Sequence, residues 1–109
     1  MADGELAWTT FDEPARVFDY KWNGMIQEHM NDKEIRIHPT QKPVELYAWI
    51  LNHYAKHGDR ILDTHVGSGS SRIACYDLGF DFTGYEIDKT YFDLQEKRFH
   101  NHIKQLKLF

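Results

Sequence analysis

Residues 63–71 (DTHVGSGSS) form a glycine-containing stretch between a predicted strand and a predicted helix. Gly67 and Gly69 have no side chain and can adopt positive φ, so the backbone can approach a ligand closely at the start of the helix. A dinucleotide fingerprint would require a third glycine where Arg72 stands, and a phosphate-binding P-loop would require a Gly-Lys-Ser/Thr sequence that the chain lacks. The stretch therefore predicts a ligand loop that matches neither of these two signatures.

Glu86 lies at the end of the next predicted strand and is the second candidate for ligand binding. An acid at the end of the second strand accepts hydrogen bonds from ribose hydroxyls in dinucleotide-binding folds. Glu86 therefore favours a cofactor that contains adenosine. It does not distinguish among such cofactors, so a nicotinamide-binding domain stays open as a distant alternative.

A third block, residues 38–43 (HPTQKP), precedes a predicted helix. Thr40 could simply cap that helix, with Pro43 at its start and Lys42 in solvent. The block also resembles motif X, and residues 63–71 resemble motif I, of the DNA amino-methyltransferases of restriction-modification and phage systems. Motif X before motif I is typical of the permuted class of that family. The resemblance implies an α/β fold, a partial Rossmann-like class I methyltransferase, and S-adenosylmethionine as the cofactor.

The same resemblance implies roles for individual residues. Asp63 would lie near the positively charged methionine portion of the cofactor, and Glu86 would bind its ribose. Thr40 and Lys42 would hydrogen-bond the cofactor carboxylate. The complete set of cofactor-binding residues implied in this way is His38, Thr40, Lys42, Asp63, His65, Gly67, Gly69, Ser70 and Glu86.

Motif I departs from the family at two positions. A proline and a phenylalanine usually follow the aspartate, but Thr64 and His65 stand here. We expect His65 to take the place of the phenylalanine that packs beside the cofactor. Because histidine titrates near neutral pH and its imidazolium would repel the sulfonium, cofactor affinity should depend on pH.

The motif that would perform catalysis in this family is not found in these 109 residues. Amino-methyltransferases hold the flipped base with an Asp/Asn/Ser-Pro-Pro-aromatic motif, and all three prolines here, Pro14, Pro39 and Pro43, are isolated. The chain alone is therefore expected to be inactive and to have no catalytic residues of its own. It would be the cofactor-binding portion of an enzyme that acts on DNA, or alternatively a non-catalytic remnant or assembly module.

The elements that must position these residues follow from local patterns. The predicted domain has a β-hairpin over residues 5–22, a linker over 23–37 and a cofactor-binding part over 38–109. In that last part we predict five elements: a helix from Val44 ending at Gly58, a strand at residues 60–63, a helix at 70–78 closed by Gly79, a strand at 80–87, and a final helix capped by Asp88 or Thr90 with apolar positions Phe92, Phe99, Ile103 and Leu106.

Such a βαβα order predicts parallel strands. The catalytic strands of the family would lie between the hairpin and these strands, so the sheet would be incomplete. An incomplete sheet exposes strand edges, which favours a homo-oligomer or a second polypeptide that carries the missing motif.

Composition limits the remaining possibilities. With 13 basic and 17 acidic residues the net charge is −4, so the chain lacks the positive field of a self-sufficient DNA binder, and the basic residues near Lys97 and Arg98 are expected to be a solvated face. The single cysteine, Cys75, is expected to pack in a helix, and the absence of an apolar leader predicts a cytoplasmic protein without a membrane segment. His53 with His57, and His100 with His102, lack companion ligands, so no metal site is expected.

Overall fold

Helices and strands alternate along the second half of the chain. The computed structural model describes residues 5–19 and 41–107. The predicted linker, His38, Thr40 and the last three residues of the predicted hairpin lie outside these ranges. The elements are α1 (Val44–Tyr54), β1 (Arg60–Asp63), α2 (Ser70–Leu78), β2 (Asp81–Gly84) and α3 (Lys89–Lys107).

Strands β1 and β2 pair in parallel, with α2 as the crossover between them. The register runs from Arg60 opposite Asp81 to Asp63 opposite Gly84. The backbone of Tyr85 extends the pairing, because its N–H donates to Asp63 O at 3.0 Å and its carbonyl accepts from Val66 N at 3.0 Å. The predicted parallel βαβα unit is confirmed, and the chain segments that follow both strands leave the sheet side by side.

The ends of α2 and α3 agree with their sequence signals. Gly79 closes α2 in the left-handed conformation, at φ 81°, and Phe80 N donates back to Cys75 O at 2.9 Å. Asp88 caps α3, since its Oδ1 accepts from Tyr91 N at 3.1 Å. Of the two predicted caps, Asp88 is the one used.

Two predicted boundaries are wrong. Helix α1 stops at Tyr54 rather than at Gly58, because Asp59 Oδ2 accepts from Lys56 N at 2.8 Å and closes a separate turn that contains Gly58. Strand β2 covers residues 81–84 instead of 80–87, because β1 offers it only four partners. A local turn therefore ends α1, whereas the length of a distant partner strand ends β2.

The core lies on one face of the two strands. Leu51 of α1 packs against Ala74 and Cys75 of α2, and the surrounding half-buried residues are Val44, Tyr47, Ala48, Ala55, Ile61, Phe80 and Phe82. Side chains alternate along β1, so Ile61 joins this core while Leu62 points to the other face and is 63% exposed. The described elements therefore cover a single face of the sheet.

The predicted hairpin is wrong over its described part. Residues 5–19 contain no strand, and Leu6, Trp8 and Val17 are almost fully exposed. The segment contacts α1 instead, with the Phe11 ring 4.9 Å from that of Tyr54. A two-stranded hairpin is marginal unless other strands or a helix cover its apolar face, and here α1 covers only part of the segment.

Candidate functional site

A cavity of about 490 Å³ opens where the two parallel strands end. Ligands of open α/β sheets bind in the crevice outside the carboxyl ends of the strands, and the volume falls in the range of small-molecule sites. The lining comes from the segments after β1 and β2 and from the first turn of α3. Its residues are Thr64, His65, Gly84, Tyr85, Glu86, Ile87 and Phe92.

The glycine loop, residues 66–69, connects β1 to α2 beside this cavity. Gly67 and Gly69 have φ of 59° and 88°, a region that other residues rarely adopt. Gly69 N donates to Val66 O at 3.0 Å and closes the turn. The backbone at both positions therefore has the positive φ that the sequence analysis expected of these glycines.

Asp63 holds the start of the segment after β1. Its Oδ1 accepts from His65 N at 2.9 Å, and its Oδ2 accepts from Ser71 Oγ at 2.5 Å. These two hydrogen bonds join the end of β1 to the first turn of α2. The carboxylate thus shapes the loop from within, whichever ligand the loop meets.

Glu86 is hydrogen-bonded both to the glycine loop and to Asp88, the residue that caps α3. One carboxylate oxygen accepts from Gly67 N at 2.8 Å, and the other accepts from Asp88 N at 2.9 Å. Each carboxylate oxygen has a second lone-pair site, so Glu86 can still accept hydrogen bonds from a ligand. The side chain lies in the cavity lining.

Thr64 and His65, the two departures from motif I, both line the cavity. Their side chains are exposed, and Thr64 Oγ1 lies 2.9 Å from His65 Nδ1. His65 therefore lies at the cavity, with one of its ring nitrogens engaged by its neighbour.

Two predicted site residues point elsewhere. Ser70 is only 2% exposed, and its hydroxyl faces α3 rather than the cavity. Lys42 is absent from the cavity lining, and its Nζ pairs with the Glu5 carboxylate at 2.9 Å. Of the predicted residues that the structure describes, His65 and Glu86 line the cavity. Asp63 is hydrogen-bonded to His65 N, Gly67 N to Glu86, and Gly69 lies in the adjoining loop.

Contacts from α3 to the loop were missed by the sequence prediction. Arg98 was expected in solvent, but its Nη1 lies 3.0 Å from Ser68 O and 3.0 Å from Ser70 Oγ. Gln95 is buried, with its side chain against Gly69. Gln95 and Arg98 are three residues apart and therefore lie on the same side of α3. This spacing, next to the predicted apolar Phe99, is the sequence pattern that could have indicated a buried polar face.

The α3 stripe was predicted only in part. Phe99 is buried, and Arg72 stacks on its ring at 3.7 Å from the centroid. Phe92 and Leu106 remain exposed. Arg72 also donates to Glu96 Oε1 at 2.6 Å, a hydrogen bond that lowers the pKa of Glu96.

Cys75, His53 and His102 make contacts that are typical of structural residues. Burial, with a smaller effect of the Asp63 carboxylate, raises the pKa of Cys75 to about 11, so this thiol is a poor nucleophile at neutral pH. His53 Nδ1 lies 2.8 Å from Trp49 O, and His102 Nε2 lies 2.7 Å from Asp77 Oδ1. Within residues 5–19 and 41–107, no three potential ligands cluster for a metal ion.

The features at the carboxyl ends of the strands define a class of protein. A glycine loop after β1, an acid after β2 and a cavity between them are typical of α/β domains that bind an adenosine-containing cofactor. The model of a DNA methylase family, that of the N6 and N4 methyltransferases, matches residues 8–97. The chain belongs to this family.

Characterised relatives agree with that assignment. The type II methyltransferase M.MthZI of Methanothermobacter thermautotrophicus is 30% identical over 96 residues, which cover 86% of this chain and 27% of that protein. The type II methyltransferase M2.DpnII of Streptococcus pneumoniae is 38% identical over 77 residues, which cover 71% of this chain and 28% of that protein. The chain thus spans less than a third of the length of either relative.

A solved structure extends the agreement to three dimensions. The crystal structure of the M1.HpyAVI–SAM complex superposes with a TM-score of 0.54 at 39% identity, covering 56% of this chain and 30% of that one. The fold is therefore a partial methyltransferase fold of the α/β class. No helix in the described ranges is both long enough and apolar enough to cross a bilayer.

Proposed function

We propose that this chain forms the S-adenosylmethionine-binding part of a DNA amino-methyltransferase that acts on adenine N6 or cytosine N4. The observation that carries the proposal is the cavity at the carboxyl ends of β1 and β2, with the glycine loop beside it and Glu86 in its lining. Family membership supports methyl transfer to DNA as the activity of the complete enzyme.

The residues present fit this cofactor. Glu86 has lone pairs left for the ribose hydroxyls, and the exposed side chains of Ile87 and Phe92 offer apolar surface to an adenine ring. The positive φ of Gly67 and Gly69 allows the methionine portion to approach the backbone. When bound, the cofactor supplies an electrophilic methyl group on a sulfonium.

The charges near the cavity also favour a cationic ligand. Glu86 lines the cavity, Asp63 at the end of β1 is hydrogen-bonded to His65 N beside it, and the whole chain has a net charge of −4. Opposite charge stabilises the sulfonium and the amino group of the cofactor. The role of these residues is to hold and orient the methyl donor.

The proposal assigns no catalytic residue to this chain. Its three isolated prolines exclude the Pro-Pro pair that positions the target amine, so we expect cofactor binding without methyl transfer. A second polypeptide that carries the Asp/Asn/Ser-Pro-Pro-aromatic motif would complete the enzyme. His38, Thr40 and Lys42 of the motif X block are proposed to contribute at the methionine end.

Isothermal titration calorimetry with S-adenosylmethionine tests the first part. We expect saturable binding that Glu86→Ala weakens and that Glu45→Ala, which removes an exposed carboxylate on α1, leaves unchanged. Circular dichroism of each variant establishes that it is folded. No binding by the folded wild-type chain would contradict the proposal.

A methylation assay tests the second part. The chain alone should transfer no methyl group to DNA, and adding a polypeptide with the Pro-Pro motif should restore transfer. Methylation by the isolated chain would contradict the assignment of catalysis to another segment.

One observation favours a second candidate, a non-catalytic assembly module. Leu62 on the uncovered face of the sheet and Leu6, Trp8 and Val17 near the start of the described chain are exposed apolar side chains. A module retained only for assembly would self-associate without binding S-adenosylmethionine. The calorimetric titration therefore distinguishes the two functions.

A further inference from the structure

Arg98 contacts the glycine loop from a distant part of the chain. Its Nη1 lies 3.0 Å from Ser68 O, 3.3 Å from Ser68 Oγ and 3.0 Å from Ser70 Oγ, across 28 to 30 residues of sequence. Ser68 and Ser70 are 4% and 2% exposed. The guanidinium thus satisfies loop acceptors that water cannot readily reach.

The chemistry of a guanidinium suits this position. Arg98 lies beside Ser70 at the amino end of α2. A guanidinium directs its donors at fixed angles, which an ammonium does not. Arg98 can therefore donate both to the Ser68 carbonyl and to the Ser70 hydroxyl.

A second contact from α3 reaches the same loop. A Cβ at Gly69 would lie 3.1 Å from Gln95 Cβ, so the loop backbone packs directly on α3. The amide oxygen of Gln95 accepts from Arg72 Nη1 at 3.2 Å. Helix α3 thus supports the loop at Ser68 and Ser70 through Arg98, and at Gly69 through Gln95.

We propose that Arg98 is a positioning residue that holds the glycine loop in its ligand-binding conformation. The inference rests on the proposed function, since it takes the loop to be the cofactor loop. Asp88, the cap of α3, also donates its N–H to Glu86. The helix and its cap therefore contact both the loop and the acid, and Arg98 supplies the contact to the loop.

The test compares Arg98→Met and Arg98→Lys with two controls in the full chain. Lys97→Met removes an exposed cation one residue away, and Leu51→Ala destabilises the core at α1. At a temperature where all variants are folded, Arg98→Met should weaken S-adenosylmethionine binding at least about tenfold, the lower end of the loss seen when an outer-shell partner is removed from a metal site. Arg98→Lys should recover only part of the affinity.

If Arg98 only stabilised the fold, the result would differ. Arg98→Met and Leu51→Ala would then each lose affinity for S-adenosylmethionine in proportion to the fall in their unfolding temperature. Equal affinity of Arg98→Met and the wild type, or equal losses in Arg98→Met and Leu51→Ala at matched stability, would overturn the proposal.

Amide hydrogen exchange provides a readout that needs no cofactor. Arg98→Met should speed exchange in residues 66–70 while the exchange of β1 and β2 follows the wild type. Lys97→Met should leave the loop unchanged. If the wild-type chain fails to bind S-adenosylmethionine, the proposed function fails, but loop exchange still decides the role of Arg98: unchanged exchange in Arg98→Met overturns it.

Discussion

Glu86 uses both of its carboxylate oxygens inside the chain, on Gly67 N and Asp88 N. The same side chain therefore fixes the loop, starts α3 and faces the cavity. Its substitution by alanine removes structural and ligand contacts together. Substitution of Glu86 by glutamine isolates the structural contribution when stability is measured without ligand. It keeps the shape of the side chain and replaces one hydrogen-bond acceptor with a donor.

We predict that Glu86→Gln lowers the free energy of unfolding by about 1–3 kcal/mol, since its amide NH₂ must face one of two backbone N–H donors. Urea unfolding in the absence of ligand measures this. The matched control Glu45→Gln, at an exposed position on α1, should stay within about 0.5 kcal/mol of the wild type. Equal stability of both variants would show that the two hydrogen bonds contribute little.

His65 provides a second prediction at the residue scale. Its ring lines the cavity, where we propose that it packs beside the bound cofactor. We expect His65→Ala to weaken S-adenosylmethionine binding, because the ring contact is lost, and His65→Phe to retain it. Calorimetry on the three proteins gives the difference. Equal affinity of His65→Ala and the wild type would contradict this role.

At the scale of elements, the sequence predicts best those features that depend on residues close together in the chain. The Gly79 cap and the Asp88 cap depend on neighbours within a few residues, and both are confirmed. The predicted β1 strand is also confirmed, although its partner strand lies 21 residues further along the chain. The end of β2 depends on the length of its partner strand. The hairpin depends on packing by other strands, which residue alternation within the segment cannot supply.

The candidate site could likewise be predicted only in part from the sequence. Its loop, Asp63 and Glu86 follow from the order of strands and turns, because parallel strands bring their carboxyl ends together. The contacts of Arg98 and Gln95 join residues far apart in sequence. Neither contact could be inferred from charge counts, which describe Arg98 as an ordinary surface cation.

Gly69 gives a test of how closely the loop packs on α3. Gly69→Ala combines an unfavourable φ of 88° with a contact of 3.1 Å to Gln95 Cβ, whereas Gly58→Ala has a similar φ of 92° and open space around it. We expect Gly58→Ala to cost about 1 kcal/mol of unfolding free energy and Gly69→Ala about 2–3 kcal/mol. Equal costs, measured by urea unfolding, would mean that α3 yields to the extra methyl group.

Cys75 gives a test of the core between α1 and α2. Its folded pKa of about 11 exceeds the ordinary value of 9.0, so between these pH values the unfolded thiol ionises while the folded thiol stays protonated. Ionisation then favours the unfolded chain, and stability falls as the pH rises from 9 to 11, by up to about 2–3 kcal/mol from this group. In Cys75→Ala the fall should be smaller, since only the other titrating groups remain. Parallel pH profiles for both proteins would contradict the buried position of the thiol.

At the scale of the whole molecule, the described sheet is covered on one face only. Core side chains from α1 and α2 pack on Ile61 and Phe82, while Leu62 faces away from them. Doubly wound sheets carry helices on both faces, and their strands are apolar on both. The chain also spans less than a third of the relatives it matches. Among the described residues, Leu62 leaves apolar surface exposed on this face.

We therefore predict that the isolated chain associates with itself through this face when no other polypeptide covers it. Leu62→Glu should shift the sedimentation equilibrium toward monomer, because a carboxylate would have to lose its water to enter an apolar interface. Leu106→Glu, at another exposed leucine near the end of α3, is the matched control and should leave the equilibrium unchanged. If the wild type sediments as a monomer at every concentration, exposed Leu62 does not drive assembly. If both glutamate variants dissociate the oligomer equally, the contact lies elsewhere or depends on net charge alone.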